Sequence, residues 1–242
     1  MWNSAARYTR VKLCLFEHYE AAYEVSRLVG VDALGFHFLQ ATCADWRPRA
    51  EALCKVALAV PAGVARVLLS DFSPEMLAEV LDTQVFDSVQ LYPDWPPDVV
   101  AQLRGDYSVK VLKVMSAQSF ENCPSDDDEF LSRYGPVVDA VLLDSCREGG
   151  SGRLADLEHC VRVVERSPVP VFLAGGLTPA NVASRIKSVK PFGVDVESGV
   201  SVVAPDGQLL KSVTLCRDFV DAVMRVDREL LTATAQWAPD AP

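Results

Sequence analysis

The sequence lacks several things that would have narrowed its role at once. No stretch approaches the ~20 uninterrupted apolar residues of a membrane span. Its first ten residues, MWNSAARYTR, lack the apolar core of a secretory signal. Basic residues are outnumbered, with 23 Lys and Arg against 33 Asp and Glu for a formal charge of −10. That balance argues against nucleic acid as a partner, because displacing counterions requires basic density. It leaves a phosphorylated small molecule open, since a nest of backbone N–H groups holds one phosphate inside an acidic protein. No Cys-x-x-Cys pair occurs among the seven cysteines, so neither a zinc ribbon nor a thioredoxin-type redox motif is indicated. An odd number of thiols, several in apolar patterns, fits a reducing cytoplasm. No low-complexity linker divides the chain. The acidic run Ser125–Glu129 lacks the spacing and neutral oxygens of a calcium loop and reads as a solvated loop or helix start, so no metal is expected.

What is present is a repeating alternation. Eight short apolar runs read as strands: 11–16, 33–38, 65–70, 88–92, 109–115, 139–144, 169–174 and 193–198. Helical patterns fall between most of them, at 17–30 with Gly30 as its cap, 49–60, 74–83, 95–103, 154–165, 178–187 and 215–231. Ser73 before Pro74 and Thr178 before Pro179 have the form of an N-cap followed by a first-turn proline. Strict strand–helix alternation predicts parallel strands joined by right-handed crossovers. The expected fold is therefore α/β, a single (β/α)8 TIM barrel over 11–231, with an N-terminal extension at 1–10 and a C-terminal tail at 232–242. An open doubly wound sheet is the alternative.

In a barrel of this kind, chemistry sits at the C-terminal ends of the strands and on the loops that follow them. The ionisable residues there are Cys14 in the first strand, Asp144 at the end of the sixth and Asp195 in the eighth. Read alone, Cys14 is first of all a buried strand cysteine and Asp144 a strand-end cap. Three glycine clusters follow the last three strands: Gly149-Gly150-Ser151-Gly152, Gly175-Gly176 and Ser198-Gly199. Loops at these positions often form a phosphate site, because close backbone approach and helix N–H groups suit an anion.

These residues, in this order and spacing, resemble the phosphoribosylanthranilate isomerase family of tryptophan biosynthesis over about residues 11–230. Lys12-Leu13-Cys14 is similar to the family's opening Lys-Ile/Val-Cys-Gly, and Asp32–Phe38 to its second strand. Leu142-Leu143-Asp144-Ser145 with Gly149–Gly152, Leu173–Val182 and Val194–Val200 complete the match. The resemblance implies a cofactor-free Amadori rearrangement, with Cys14 as general base and Asp144 as general acid. It implies a phosphate held by Gly150, Ser151, Gly175, Gly176, Ser198 and Gly199. A base thiol must be partly thiolate, and a carboxylic acid must stay protonated near neutrality, so both need special surroundings.

The departures cluster where the aglycone should bind. The glycine after the family's cysteine is Leu15 here. The loop arginine expected to meet the anthranilate carboxylate is replaced at Ala44, with Arg47 as the candidate substitute or else a surface arginine. The fourth strand's Val-Gln-Leu-His-Gly becomes Val89-Gln90-Leu91-Tyr92-Pro93, and the Glu after Ser-Gly-Val becomes Ser201. The later Gly-Val/Ile-Lys-Asp matches only at Lys211. Gln90, Tyr92, Asp195 and Arg47 are assigned to the substrate, with Trp46 and Tyr92 lining either an altered aglycone pocket or ordinary packing. The first reading is isomerisation of phosphoribosylanthranilate. The second is the same rearrangement of another N-phosphoribosyl amine, and the third a non-catalytic barrel that binds a phosphorylated ligand. The expected protein is a monomer or homodimer.

Overall fold

Eight parallel strands close on themselves, because β-branched and leucine-rich runs bury both faces, one against helices and one inside a barrel. The computed structural model describes residues 8–39, 46–116, 124–144, 156–205 and 207–235. The barrel strands are β1 (Arg10–Leu13), β2 (Ala33–Phe38), β3 (Ala65–Ser70), β4 (Ser88–Leu91), β5 (Lys110–Ser116), β6 (Ala140–Asp144), β7 (Val171–Leu173) and β8 (Gly193–Val196). Around them run α1 (Tyr19–Val25), α2 (Trp46–Ala57), α3 (Pro74–Leu81), α4 (Pro97–Tyr107), α5 (Pro124–Tyr134), α6 (Leu157–Arg166), α7 (Val182–Val189) and α8 (Val213–Ala235). Pairing of β1 with β8, with Lys12 opposite Asp195, excludes the open sheet.

Two cores follow from strand alternation. Outward-facing Leu13, Leu34, Phe36, Phe38, Val89 and Leu91 are buried against the helices, each contributing about 1.5–3 kcal/mol. The inward face is lined by smaller groups, Cys14, Ala33, Val67 and Leu69 on one side and Val114, Leu142 and Ala174 on the other. Tyr92 packs against both sets.

Local chemistry explains where elements begin. Ser73 caps α3 as expected, its hydroxyl accepting from Met76 N at 3.4 Å. Thr178 does not cap α7. The helix starts at Val182, and the Asn181 side chain before it caps no helix N–H but ties the loop, accepting from Thr178 N at 2.8 Å and donating to Gly176 O at 2.9 Å. α1 ends at Val25 with Ser26 as its cap, well before Gly30.

Of the two readings of the acidic run, the helix start holds: it opens α5, with Asp127 completely buried rather than solvated. His159 Nε2 sits 2.9 Å from Asp127 Oδ1, and Arg162 Nε donates to Oδ2 at 3.2 Å, tying α5 to α6. A short antiparallel hairpin, β9 (Ser201–Val203) with β10 (Leu209–Lys211), follows β8 outside the barrel pattern.

The start of the barrel is pinned to its last helix. Thr9 N and Oγ1 both donate to the buried Asp227 carboxylate of α8, each at 2.7 Å. Replacing Asp227 by Ala leaves both donors without their acceptor, and hydrogen bonds to a charged group contribute about 1.5–3 kcal/mol each. Asp227→Ala is expected to lower unfolding free energy by at least about 2 kcal/mol. Urea denaturation reads this as a lower midpoint at unchanged slope. A wild-type midpoint would show that the Thr9–Asp227 clamp contributes nothing.

Candidate active site

Cys14 lies just beyond the end of β1, where Cys14 N still donates to Val196 O of β8 at 2.9 Å. Phe16 N next donates to Gly35 O of β2 at 3.2 Å, so the chain switches partners between the two. Leu15 makes that switch with φ of 69°, a left-handed conformation that favours glycine. The position where the resembled family has glycine thus keeps the glycine backbone with a leucine side chain.

Space for the thiol comes from β2. A Cβ at Gly35 would stand 2.6 Å from Cys14 Sγ and 2.9 Å from Leu69 Cδ1, so only glycine fits beside the sulfur. Lys12, two residues earlier on the same strand face, aims its Nζ at Sγ at 2.6 Å and at Asp195 Oδ1 at 3.0 Å. The thiol itself donates to Asp195 Oδ1 at 3.0 Å. Lys12 and Cys14 are each 1% exposed, so water competes little for these contacts. Burial, joined by the nearby Asp195 charge, pushes the Cys14 thiol well above its usual pKa, with Lys12 opposing. Burial works to lower the Lys12 pKa, but Asp195 and Cys14 outweigh it and hold the ammonium charged.

A cleft opens above this trio at the C-terminal end of the barrel. Its walls include Cys14, Gln90, Tyr92, Asp144, Gly175, Gly176, Asp195, Glu197 and Ser198. Asp144 ends β6, buried, three strands round the barrel from β1 by way of β8 and β7. Gln90 Nε2 donates to the Tyr92 hydroxyl at 3.1 Å, while Gln90 Oε1 is buried with no hydrogen-bond partner among the described residues. Burial and then the charges of Cys14, Asp195, Glu197 and Asp144 push the Tyr92 pKa well up, so it remains a phenol and a donor.

The two glycine loops after β7 and β8 touch. A Cβ at Gly199, inside the 3-10 turn Ser198–Val200, would collide with the carbonyl oxygen of Leu177. Gly175, Gly176 and Ser198 face the cleft from these loops, whereas Gly199 lies at their contact. Gly150 and Ser151, like the replaced loop position Ala44, lie outside the described residues.

Arg47 is a correction. It does not line the cleft; its guanidinium sits on Trp46 and forks onto Glu79 of α3 through bonds of 3.0–3.2 Å, on the outside of the barrel. Helix α2 already begins at Trp46, and that start turns Arg47 outward. Trp46 likewise packs edge-on against Phe38 and Phe72. Asp195, assigned to substrate, is engaged by Lys12 and Cys14.

Three groups escaped the sequence reading. Lys12 stood in the quoted motif without a role, although its i, i+2 relation to Cys14 puts both on one strand face. Glu197 lines the cleft with His37 Nε2 3.2 Å from its Oε2; burial raises its pKa, but His37, Lys211 and Lys12 together more than offset this, and the net shift is downward. Lys211, on the hairpin, donates to Glu197 O at 2.6 Å and Ser201 Oγ at 2.8 Å, and burial lowers its pKa. Among the described residues no cluster of His, Cys, Asp and Glu is placed to hold a metal ion, and no helix is long and apolar enough to cross a membrane.

A left-handed conformation costs a non-glycine residue roughly 1–2 kcal/mol, partly offset by the greater chain entropy glycine loses on folding. Leu15→Gly is therefore expected to raise stability by up to about 1 kcal/mol. A rise in thermal midpoint checks this, and a clear fall would show that packing of the leucine side chain outweighs its backbone strain.

Comparison with known proteins agrees with this geometry. The family model for N-(5'-phosphoribosyl)anthranilate isomerase matches residues 14–221. An N-(5'-phosphoribosyl)anthranilate isomerase of Halobacterium salinarum is 35% identical over 202 residues, covering 79% of this chain and 87% of its own. A solved structure of monomers made from the dimeric Thermotoga maritima phosphoribosylanthranilate isomerase superposes with TM-score 0.71 at 25% identity, covering 90% of this chain and all of that one. A second, a phosphoribosylanthranilate isomerase in complex with reduced 1-(o-carboxyphenylamino)-1-deoxyribulose 5-phosphate, has TM-score 0.70 at 25% identity with the same coverage. From barrel, cleft and kinship together, this chain belongs to the N-(5'-phosphoribosyl)anthranilate isomerase family.

Proposed function

We propose that this chain isomerises N-(5-phosphoribosyl)anthranilate to its 1-deoxyribulose 5-phosphate product, with Cys14 as general base and Asp144 as general acid. The observation that carries the reading is the meeting of these two groups, from the ends of β1 and β6, in one cleft with Gly175, Gly176 and Ser198. Asp144 gives its proton to the ribose ring oxygen. The C1′–O bond breaks, its electron pair stays on oxygen, and the nitrogen lone pair forms the C1′=N Schiff base. Cys14 then takes the C2′ proton. The freed electron pair makes C1′=C2′, and the C=N pair returns to nitrogen. The resulting enolamine becomes the ketose when C1′ gains a proton and the C2′ hydroxyl loses one. General acid and base groups positioned in this way each accelerate a reaction by roughly 10²–10⁴-fold.

Phosphate would lie against the Gly175-Gly176 loop and the Ser198-Gly199 turn, with Gly150 and Ser151 as further candidates. Backbone N–H groups suit this task better than charge in a protein of net charge −10. The aglycone would then reach Gln90 and Tyr92. Gln90 offers an acceptor without a partner among the described residues, and its NH2 fixes the Tyr92 hydroxyl as a donor.

Two observations favour a second reading, the same rearrangement of another N-phosphoribosyl amine. Tyr92 replaces the family's histidine, and Arg47 is held on Glu79 away from the cleft. A single assay separates the two. Purified protein is given freshly made phosphoribosylanthranilate, and loss of substrate fluorescence is followed. Turnover at an enzymatic rate supports the first reading and places the chain in tryptophan biosynthesis. Binding of a phosphoribosyl analogue without turnover of this substrate would favour the second, or a non-catalytic barrel that binds a phosphorylated ligand.

Cys14→Ser and Asp144→Asn should each cut kcat by at least about 10²-fold. A folded variant that keeps wild-type kcat would remove its residue from the mechanism. Gly35→Ala should also lower kcat, by around 10²-fold, because the new methyl displaces the sulfur and small misplacements are that costly. An unchanged rate would mean that the thiol's position beside β2 is unimportant.

A further inference from the structure

The proposed base presents a difficulty. A thiol raised well above its usual pKa by burial is almost wholly protonated at neutral pH, and a protonated thiol takes no proton from carbon. The structure contains a resolution in the two groups that touch the sulfur. Lys12 Nζ lies between Sγ at 2.6 Å and Asp195 Oδ1 at 3.0 Å, and Sγ and Oδ1 are themselves 3.0 Å apart. The three side chains form a closed triangle, and all three residues are buried.

The triangle holds one ammonium, one negative charge and one proton on the edge between sulfur and carboxylate. In the resting arrangement the proton is on sulfur, and the negative charge on Asp195. Moving it from Sγ to Oδ1 leaves thiolate, ammonium and neutral carboxylic acid. No charge enters or leaves the triangle in that transfer. Burial opposes loss of the thiol proton to solvent, which would add an uncompensated charge, but it does not oppose this internal shift in the same way. Ammonium at Lys12 is what stabilises the negative charge in either location.

We propose that Lys12 is the positioning residue that makes Cys14 a base, by holding one negative charge that a proton shared between Cys14 and Asp195 places on either sulfur or carboxylate. This rests on the reading of Cys14 as the base, and it supplies what that reading needs. Other charged and titratable groups face the triangle. Tyr92 and Asp144 lie across the cleft. Glu197, with His37 beside it, follows Asp195 on the loop after β8, and Lys211 reaches in from the hairpin. Tyr92 stays neutral, and Lys211 donates to the Glu197 carbonyl, while its charge reaches Cys14 and Asp195, and that of Glu197 reaches Lys12, through space rather than by hydrogen bonds. Only Lys12 and Asp195 are seen in hydrogen-bond contact with the sulfur among the described residues.

The proposal gives two variants opposite signs. In Lys12→Met the cation is gone, the negative charge stays on Asp195, and the thiolate is disfavoured. In Asp195→Asn the carboxylate is gone, and sulfur is left as the one anionic partner in hydrogen-bond contact with the buried ammonium, so the thiolate is favoured. The experiment is alkylation of the full-length protein by iodoacetamide at pH 7.5, with modification at Cys14 quantified by peptide mass spectrometry. Lys12→Met should slow alkylation of Cys14 by at least about tenfold, and Asp195→Asn should speed it above wild type. Lys12→Arg keeps the charge and should recover most of the rate.

Turnover is the independent readout. Lys12→Met should lower kcat far more than it changes KM and should move the acid limb of the kcat–pH profile upward. A purely structural lysine would alter thermal stability but neither the pH profile nor the sign of the Asp195→Asn effect. Wild-type alkylation in folded Lys12→Met, or slowed alkylation in Asp195→Asn, overturns the proposal. If Lys12→Met misfolds, the sign in Asp195→Asn decides alone. Retained turnover in Cys14→Ser would instead sink the base assignment, whatever the alkylation rates, so the two failures are distinguishable.

Discussion

The site depends on one act of closure. β8 lies against β1 in parallel register, with Lys12 opposite Asp195 and Leu13 opposite Val196. That seam joins residues almost the whole chain apart and fixes Asp195 within reach of Lys12 and Cys14. Every later feature of the cleft inherits this alignment. A slip of one residue would turn the side chains of β1 to the opposite face and carry Lys12 out of the barrel. The Thr9–Asp227 clamp sits just before the same seam, where it holds the entering strand against α8.

Within that frame the interior is built small where the sulfur must fit and polar where charge must sit. Gly35 and Ala33 on β2 leave room beside Cys14, while Phe36 and Phe38 on the same strand turn outward into the helix-facing core. A buried ammonium is normally destabilising, and Lys12 is tolerated because the sulfur and carboxylate beside it satisfy it. The loops after β7 and β8 meet so closely at Gly199 and Leu177 that each fixes the other. A phosphate-binding surface of backbone N–H groups needs that rigidity more than it needs positive charge.

The strands were legible because each is a short β-branched or leucine-rich run, and the order of the chemistry-bearing residues was legible at the strand ends. Elements that lack a period were not. β9 and β10 are three residues each, too short to show an alternation. The acidic run allowed a helix start, and α5 begins there, but that Asp127 faces inward to His159 and Arg162 is a partnership no local pattern reveals. Arg47 looked like a substitute for the arginine replaced at Ala44 because it is near in sequence, but a helix that starts at Trp46 aims it at Glu79. Lys12 was visible in the motif all along, yet its role depends on Asp195, and only barrel closure brings the two together.

The most direct test is a crystal structure of this protein with a non-reacting product analogue such as reduced 1-(o-carboxyphenylamino)-1-deoxyribulose 5-phosphate. The account predicts phosphate against Gly175-Gly176 and Ser198-Gly199, C2′ facing Cys14 Sγ, the ribose oxygen chain facing Asp144, and the carboxyphenyl ring toward Tyr92. A phosphate seated elsewhere, or a C2′ on the side of the cleft away from Cys14, would contradict it.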